Sequence, residues 1–385
     1  MFRSRKALFV GHSYCVALNR RLADELSRAT GQRWNVTVAA PASFKGELGY
    51  IQLERSVGEV CELVPIPTYG SRSPHVFLYG ARLAQLLRQD WDLVHCWEEP
   101  FIFSAAQVAW WAPRKAPLVF FTFQNWVKRY PPPFNWVEGY CLSRCSGWIA
   151  AGATVAQAQL EKQYGVRPHR IIPLGVDLRC FYPCLRAREE TRRLLGWSVE
   201  RRPVIGYLGR FIEEKGLRFL TKILDMVHSP WCALFVGSGP MEAALRRWAE
   251  NYPDRVRVIV GVRHDEVPKY LNAMDLLCAP SQTTPGWREQ FGRMLIEAFA
   301  CGIPVIASDS GEIPYVVGDA GVVVPEWDEA AWIERMGAVL ENPRLRADLS
   351  ERGLERAQIK YSWPVIARQH LEFFEEMLQN RTLAA

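Results

Sequence analysis

The stretch Arg288-Glu289-Gln290-Phe291-Gly292-Arg293-Met294-Leu295-Ile296-Glu297-Ala298-Phe299-Ala300-Cys301-Gly302-Ile303-Pro304-Val305-Ile306-Ala307 reads as loop, helix, tight turn and buried strand in succession. A helix beginning near Phe291 or Gly292 runs through Ala300, Gly302 closes it, and Pro304 to Ala307 is a short β-rich apolar run. Glu289 then falls in the loop and Glu297 inside the helix, so the two carboxylates address different parts of one elongated ligand. Between them lies the helix N-terminus, whose free N–H groups and positive dipole end attract anions, and Gly292 leaves room for close approach. A pyrophosphate suits that terminus. Ionised carboxylates only accept hydrogen bonds, which fits Glu297 to ribose hydroxyls and Glu289 to sugar hydroxyls beyond the phosphates.

The same strand–helix alternation extends in both directions. Upstream in this half, strand candidates are Val204 to Leu208, Cys232 to Val236, Val256 to Val260 and Leu276 to Ala279. In the first half they are Lys6 to Val10, Trp34 to Ala39, Leu93 to Cys96, Leu118 to Thr122, Trp148 to Ala150 and Ile171 to Pro173, with helical spacing in Val16 to Arg28 and His75 to Arg88. Such alternation implies parallel sheets covered on both faces. The chain has 385 residues, 49% of them hydrophobic, enough for two cores. The polar, Arg-rich Arg186 to Arg202 separates the two series. The expected fold is therefore α/β with two Rossmann-like domains, 1–178 and 179–361, whose parallel sheets face a central cleft where ligands meet the strand ends. Ser362-Trp363-Pro364 opens a terminal amphipathic helix, 362–380, that is free to pack back on the first domain.

A second informative stretch is Gly206-Tyr207-Leu208-Gly209-Arg210-Phe211-Ile212-Glu213-Glu214-Lys215-Gly216, which joins a strand to a helix. It sets two cations beside glycines. Arg210 and Lys215 suit the charge that builds on a departing nucleoside diphosphate, in place of a metal. Val236-Gly237-Ser238-Gly239-Pro240 ends the next strand in a tight turn. Each piece alone also reads as an ordinary solvated turn or helix-surface charge; the ordered set is what carries weight.

That set resembles the retaining GT-B glycosyltransferases of family 4, in order from about 203 to 325: Gly209-Arg210 with Lys215-Gly216, the Gly-Ser-Gly-Pro turn, the paired glutamates, Gly302-Ile-Pro-Val-Ile306, and Ser308-Asp-Ser-Gly-Glu-Ile-Pro314. The resemblance implies a nucleotide-sugar donor held by Gly209, Arg210, Lys215, Gly237, Glu289, Phe291, Gly292, Arg293, Met294 and Glu297. In it, Arg210 and Lys215 bind the diphosphate, Glu297 the ribose and Glu289 the transferred sugar, with no metal or other cofactor. The reaction implied is front-face transfer to a glycan or lipid-linked acceptor, the leaving phosphate taking the acceptor's proton.

In the first half the resemblance continues through Val94-His95-Cys96-Trp97-Glu98-Glu99-Pro100, Phe120-Phe-Thr-Phe-Gln124-Asn125 and Ile172-Pro-Leu-Gly-Val-Asp177. Many relatives carry histidine near the position of Gln124. Glutamine is no general base, though it can hydrogen-bond a donor hydroxyl or developing charge. The loop Gly11-His12-Ser13-Tyr14 lacks the paired glycines usual there. Gly11, His12, His95 and Glu98 are the acceptor-side candidates, and for the two histidines a buried, satisfied ring is an equal reading.

Net charge is +6, concentrated in residues 1–180, which hold 21 Lys and Arg against 13 Asp and Glu. That suits an acidic, phosphorylated or anionic-membrane partner, or simply a solvated basic surface; no nucleic-acid partner is expected. Phe101 to Trp111 and Phe123 to Trp136, with Lys128 and Arg129, read either as a membrane-resting face or as core. Met1 to Val10 is too short an apolar run for a secretory signal, and no stretch approaches a membrane span, so a cytoplasmic protein is expected, peripheral at the inner membrane face at most. The ten cysteines read as reduced structural thiols, and Asp90-Trp91-Asp92 lacks the context of a metal motif. Three rivals remain. A nucleotide-sugar epimerase would need an acid–base pair around the sugar, a dehydrogenase would need Gly-x-Gly-x-x-Gly, and a catalytically degenerate GT-B scaffold would bind a nucleotide sugar without turnover.

Overall fold

Ala7, Leu8, Phe9 and Val10 expose no surface, and they lie in the middle of a parallel sheet in a computed structural model that describes residues 4–31, 33–46, 49–56, 58–70, 75–162, 167–197 and 202–382. Residues 1–3 and 198–201, part of the basic start and of the Arg-rich stretch read above, lie outside the described residues. The chain divides into two units, Met1–Pro173 with Trp363–Ala385, and Leu174–Ser362.

In the first unit the strands are β1 (Arg5–Val10), β2 (Trp34–Pro41), β3 (Ser43–Gly46), β4 (Gly49–Gln52), β5 (Glu62–Ile66), β6 (Thr68–Tyr69), β7 (Leu78–Tyr79), β8 (Leu93–Cys96), β9 (Leu118–Thr122), β10 (Gly147–Ala150) and β11 (His169–Ile171). Seven of them form the main sheet in the order β11-β10-β9-β8-β1-β2-β5, all parallel, while β3–β4 and β6–β7 are small antiparallel hairpins. Pro65 sits in β5 because an edge strand spares it the missing donor. The last strand is set two residues earlier than the apolar run Ile171 to Pro173 indicates, since its register follows β10.

The helices of this unit are α1 (Arg21–Ala29), α2 (Ala81–Leu87), α3 (Phe103–Trp111), α4 (Phe134–Arg144) and α5 (Ala153–Glu161). In α3, Ala105, Val108 and Ala109 are buried against the core, whereas Trp110 is exposed. The core reading of this segment therefore holds for one face only.

The second unit carries β12 (Val204–Arg210), β13 (Cys232–Ser238), β14 (Val256–Ile259), β15 (Leu276–Ala279), β16 (Val305–Ser308) and β17 (Val322–Val324), parallel in the order β14-β13-β12-β15-β16-β17. Its helices are α6 (Leu185–Leu194), α7 (Leu217–Met226), α8 (Glu242–Ala249), α9 (Val267–Asn272), α10 (Arg293–Ala300), α11 (Ile313–Val317), α12 (Glu329–Glu341) and α13 (Pro343–Arg356). Much of the Arg-rich stretch is thus α6. Arg188 and Arg192 each reach Asp275 at 2.5 Å. Burial pushes that carboxyl up, but the two guanidiniums outweigh it and hold it below the usual range.

After the second unit the chain enters α14 (Trp363–Thr382), which belongs to the first. Phe374 packs on Phe9, Trp34 and His95 at ring distances of 6.0, 6.1 and 5.6 Å, and a Cβ at Gly147 would lie 2.7 Å from the Met377 sulfur. Each buried Phe or Met here contributes on the order of 2–3 kcal/mol. Arg5–Glu375 and Arg170–Glu376 pair along its rim.

Candidate active site

In the second unit, β12 delivers Gly209 and Arg210 at its carboxyl end, in register with Gly237 and Ser238 of β13. The two turns touch backbone to backbone: a Cβ on Gly237 would sit 1.8 Å from the Gly209 carbonyl oxygen. The Tyr207 hydroxyl donates to the Arg210 carbonyl at 2.7 Å and pins the turn. Beyond it a single 3-10 turn, Glu213–Lys215, ends at Gly216, whose φ of 71° and whose Cα, facing the Pro280 carbonyl, exclude a side chain.

That turn aims Lys215 at Glu289. Lys215 Nζ donates to Glu289 Oε2 at 2.5 Å, Ser281 Oγ donates to the same oxygen at 3.0 Å, and the ammonium lies 5.4 Å from the Trp287 ring centroid. Burial pushes the Glu289 carboxyl up, but the Lys215 charge and the Lys215, Ser281 and Phe291 donors outweigh it and hold it below the usual carboxylate range. It is a buried anion with three donors, fixed further by its backbone: Glu312 N–H donates to the Glu289 carbonyl at 3.0 Å, and Gly311 is glycine because a Cβ would reach that same oxygen at 2.1 Å.

Helix α10 begins as its glycine indicates. Gly292 is its N-cap with φ 81°, and Arg293 its first residue. Phe291 and Met294 are buried, Phe291 edge-on to Tyr361 at 6.2 Å, so this turn presents backbone N–H groups. Burial lowers the Arg293 pKa, with Glu297 opposing. Glu297, buried one turn further, accepts from His264 Nε2 at 2.8 Å, and the imidazole packs on Phe181 at 5.3 Å. The structure thus joins Lys215 with Glu289, and Gly209 with Gly237, and places Glu297 on the helix that follows them.

The reading from residue types missed Ser281 and His264, and the contact of Trp287 with Lys215. It also missed Gln282, a buried side chain whose Nε2 has no partner among the described residues. Ser281 lies 8 positions from Glu289 and His264 lies 33 from Glu297, so neither pairing shows in a local motif.

In the first unit, Gly11 lets the turn after β1 press on Trp97, whose carbonyl oxygen would lie 2.9 Å from an added Cβ. His12 follows. Its N–H donates to Glu98 Oε1 at 2.7 Å, its Nδ1 meets Glu98 Oε2 at 2.5 Å, and the Tyr79 hydroxyl donates to Oε1 at 2.5 Å. Glu98 is fully buried. Burial pulls the His12 pKa down, yet the Glu98 charge and hydrogen bond prevail and raise it above the ordinary value. Nδ1 is spent on Glu98, so Nε2 is the ring nitrogen outside this pair.

His95 is placed differently from His12. It is fully buried among Phe9, Phe121, Phe374 and His370, its Nδ1 3.1 Å from the Tyr14 hydroxyl, so it is a core residue in this unit and not a surface contact. Gln124 donates from Nε2 to the Tyr130 hydroxyl, and its backbone carbonyl accepts from Gln159 Nε2 at 2.8 Å. Asp90 and Asp92 take Lys115 and the Lys6 N–H, respectively.

The sequence profile of the Glycosyltransferase Family 4 matches residues 20–179, and that of the Glycosyl transferases group 1 matches residues 189–356. The phosphatidyl-myo-inositol mannosyltransferase of Mycobacterium leprae is 29% identical over 91% of this chain and 90% of its own length. The GDP-mannose-dependent monoacylated alpha-(1-6)-phosphatidylinositol monomannoside mannosyltransferase of Corynebacterium glutamicum is 31% identical over 51% of this chain and 54% of its own. The chain spans little more than half the length of this and other curated relatives that it matches at about 30% identity. Among solved structures, Anabaena HepE in complex with UDP and glucose superposes with a TM-score of 0.74 at 18% identity, covering 97% of this chain and all of that one. A Rickettsia africae glycosyltransferase superposes with a TM-score of 0.77 at 16% identity, covering 98% and all of the two chains. These two likenesses concern the fold.

Proposed function

This chain belongs to the GT-B glycosyltransferases of family 4, and from that premise we propose that it transfers a sugar from a nucleotide-diphosphate donor to a glycan or lipid-linked acceptor with retention of configuration. The observation that carries the donor half is the Lys215–Glu289 pair at the strand ends, with Glu297 on the following helix.

Arg210 and Lys215 hold the diphosphate, assisted by the backbone N–H groups at 291–294 and the glycine turns at 209 and 237, and no metal is required for charge neutralisation. Glu297 has His264 on Oε1, which leaves Oε2 for a ribose hydroxyl. Ionised Glu289, acceptor-only, takes hydroxyls of the transferred sugar. As the bond from the anomeric carbon to the phosphate oxygen breaks, its electron pair passes to the diphosphate beside Arg210 and Lys215. The acceptor oxygen bonds the same face of that carbon, and its proton goes to the departing phosphate oxygen. Gln124, tied to Tyr130, contributes a dipole at most.

On the acceptor side His12 and Glu98 supply hydrogen bonds, and relatives named for phosphatidylinositol support a lipid-linked acceptor. A peripheral position at the inner membrane face agrees with that reading; among the described residues no helix is long and apolar enough to cross a membrane.

Calorimetric titration with UDP, GDP and ADP sugars, without added metal, tests the donor half. One donor binding, and weakening in Glu297→Ala and Arg210→Ala, supports the reading and names the base. Binding without product, across inositol-phosphate, phosphatidylinositol and glycan acceptors, makes this a scaffold that holds a nucleotide sugar without turnover.

A further inference from the structure

Between α3 and α4 runs a groove of about 550 Å³, within the range of roughly 300–1,000 Å³ typical of small-molecule sites. Its walls are Leu78, Phe103, Trp110, Trp136, Val137 and Tyr140. Among the described residues no charged side chain lines it. Of its wall residues, Gln107 has both amide atoms occupied: Oε1 accepts from the Tyr79 N–H at 2.7 Å and Nε2 donates to the Tyr79 carbonyl at 3.1 Å. The groove therefore offers a ligand mainly apolar contact area.

Trp110 is 71% and Trp136 68% exposed. Two large rings left in water on adjoining helices form an apolar patch of the kind that soluble proteins keep for a partner. The charges that elsewhere blunt a helix surface are withdrawn here. Glu138 is bound to Lys162, and Arg144 turns inward to the Ala109 and Ala112 carbonyls at 3.0 and 2.9 Å. Just before α4, Lys128 and Arg129 are exposed and pair with no carboxylate among the described residues. An uncharged aromatic trough, with two exposed cations in the segment that leads into its α4 wall, suits an anionic lipid whose hydrocarbon lies in the trough.

The groove is also wired to the acceptor-side residues. Gln107 clamps the Tyr79 backbone, and the Tyr79 hydroxyl bonds the carboxylate that holds His12.

We propose that the α3–α4 groove seats a hydrocarbon chain of a phospholipid-linked acceptor, which Tyr79 couples to the His12–Glu98 pair where the acceptor's head group is held. It rests on the lipid-linked reading of the acceptor and gives that reading an address.

The test uses the full chain and the fluorescent fatty acid cis-parinaric acid, followed by its emission on burial and by energy transfer from tryptophan. One saturable site is expected, displaced by phosphatidylinositol and not by chainless D-inositol 3-phosphate. Ala106→Trp fills the groove from a half-buried position of α3 and should weaken binding at least about tenfold. A Trp110→Ser/Trp136→Ser variant, changed only at exposed rings, should do likewise and guards against misfolding of the first. Trp327→Ser, at a ring 62% exposed on the other unit, should change nothing.

Absence of saturable binding, or binding unaltered in both groove variants, overturns the proposal. So does a dimer by sedimentation velocity that the groove variants dissolve, because the occupant is then a second copy. Nucleotide-sugar titration is read separately: parinarate binding lost with donor binding kept defeats the groove alone, and donor binding absent with parinarate bound defeats the donor assignment alone.

Discussion

His264 Nε2 lies 2.8 Å from Glu297 Oε1, so the carboxylate assigned to the ribose arrives with one oxygen already taken and its rotamer fixed. A carboxylate held this way loses less rotamer freedom when it binds. His264→Ala should weaken donor binding about three- to tenfold with kcat nearly unchanged, and His264→Gln should recover part of it. Glu297→Ala should lose more. Calorimetry with the identified donor, alongside a KM-against-kcat comparison, decides between a positioning role and none.

Lys215→Met leaves Glu289 buried beside a neutral side chain. Removing one partner of a buried pair costs about 3–5 kcal/mol, and because this pair retains slight exposure the lower end is expected. Adding Glu289→Gln should restore part of the lost stability while leaving donor binding abolished, as thermal unfolding and titration would record. The folded Glu289 carboxyl is held below its ordinary 4.5. Its stabilisation is therefore present above that value and is lost as pH falls through the lowered one. Lys215→Met should shift acid unfolding to higher pH.

His370 and His95 meet at 6.0 Å inside the first unit, and neither Nε2 has a hydrogen-bond partner among the described residues. Burial pulls both pKa values down, that of His370 to about 4 from 6.5. The unfolded chain then takes up these protons before the folded one does. Stability should be greatest above pH 6.5 and fall as pH drops from 6.5 towards 4, by up to about 3 kcal/mol for His370. Denaturant midpoints at pH 7.5 and 5, compared with a His370→Phe variant, measure that residue's share; an equal slope in the variant defeats the assignment.

Gly216→Ala should be among the most damaging single-methyl changes. The added Cβ would meet the Pro280 carbonyl oxygen at 1.8 Å in a left-handed residue. A loss of at least ~3 kcal/mol is expected, together with donor binding, since the turn that aims Lys215 must move. Gly286→Ala, with open space around it, is the control for thermal unfolding.

The main strands were readable because β1, β9, β13 and β15 are short runs of apolar residues buried on both faces. Edge strand β5 was not: it carries a proline and starts with exposed Glu62. In α6 the local signal was charge, and the partners of Arg188 and Arg192 are distant: the Asp275 carboxylate and the carbonyls of Asn272, Ala273 and Met274. Glu289 and Lys215 were legible as chemical types within ordered motifs, but their contact spans 74 positions. Trp287 and Ser281 gain their significance from that closure, and His264 from its contact with Glu297, 33 positions away. His95 shows the opposite limit: the end of a strand fixes a residue's height along the sheet, and only α14 decides whether its side chain meets solvent.

Helix α14 completes the hydrophobic flank of a unit whose first strand is made some 350 residues before it. On the ribosome, the sheet around β1 and β10 must therefore wait with Phe9, Trp34 and Gly147 uncovered while all of Leu174–Ser362 is synthesised, and the second unit is free to finish first. A fragment comprising 1–173 should emerge sticky and chaperone-dependent, whereas Leu174–Ser362 carries its whole core within one continuous segment. The face of the first sheet that α14 covers is thus expected to close only after the whole chain has been made.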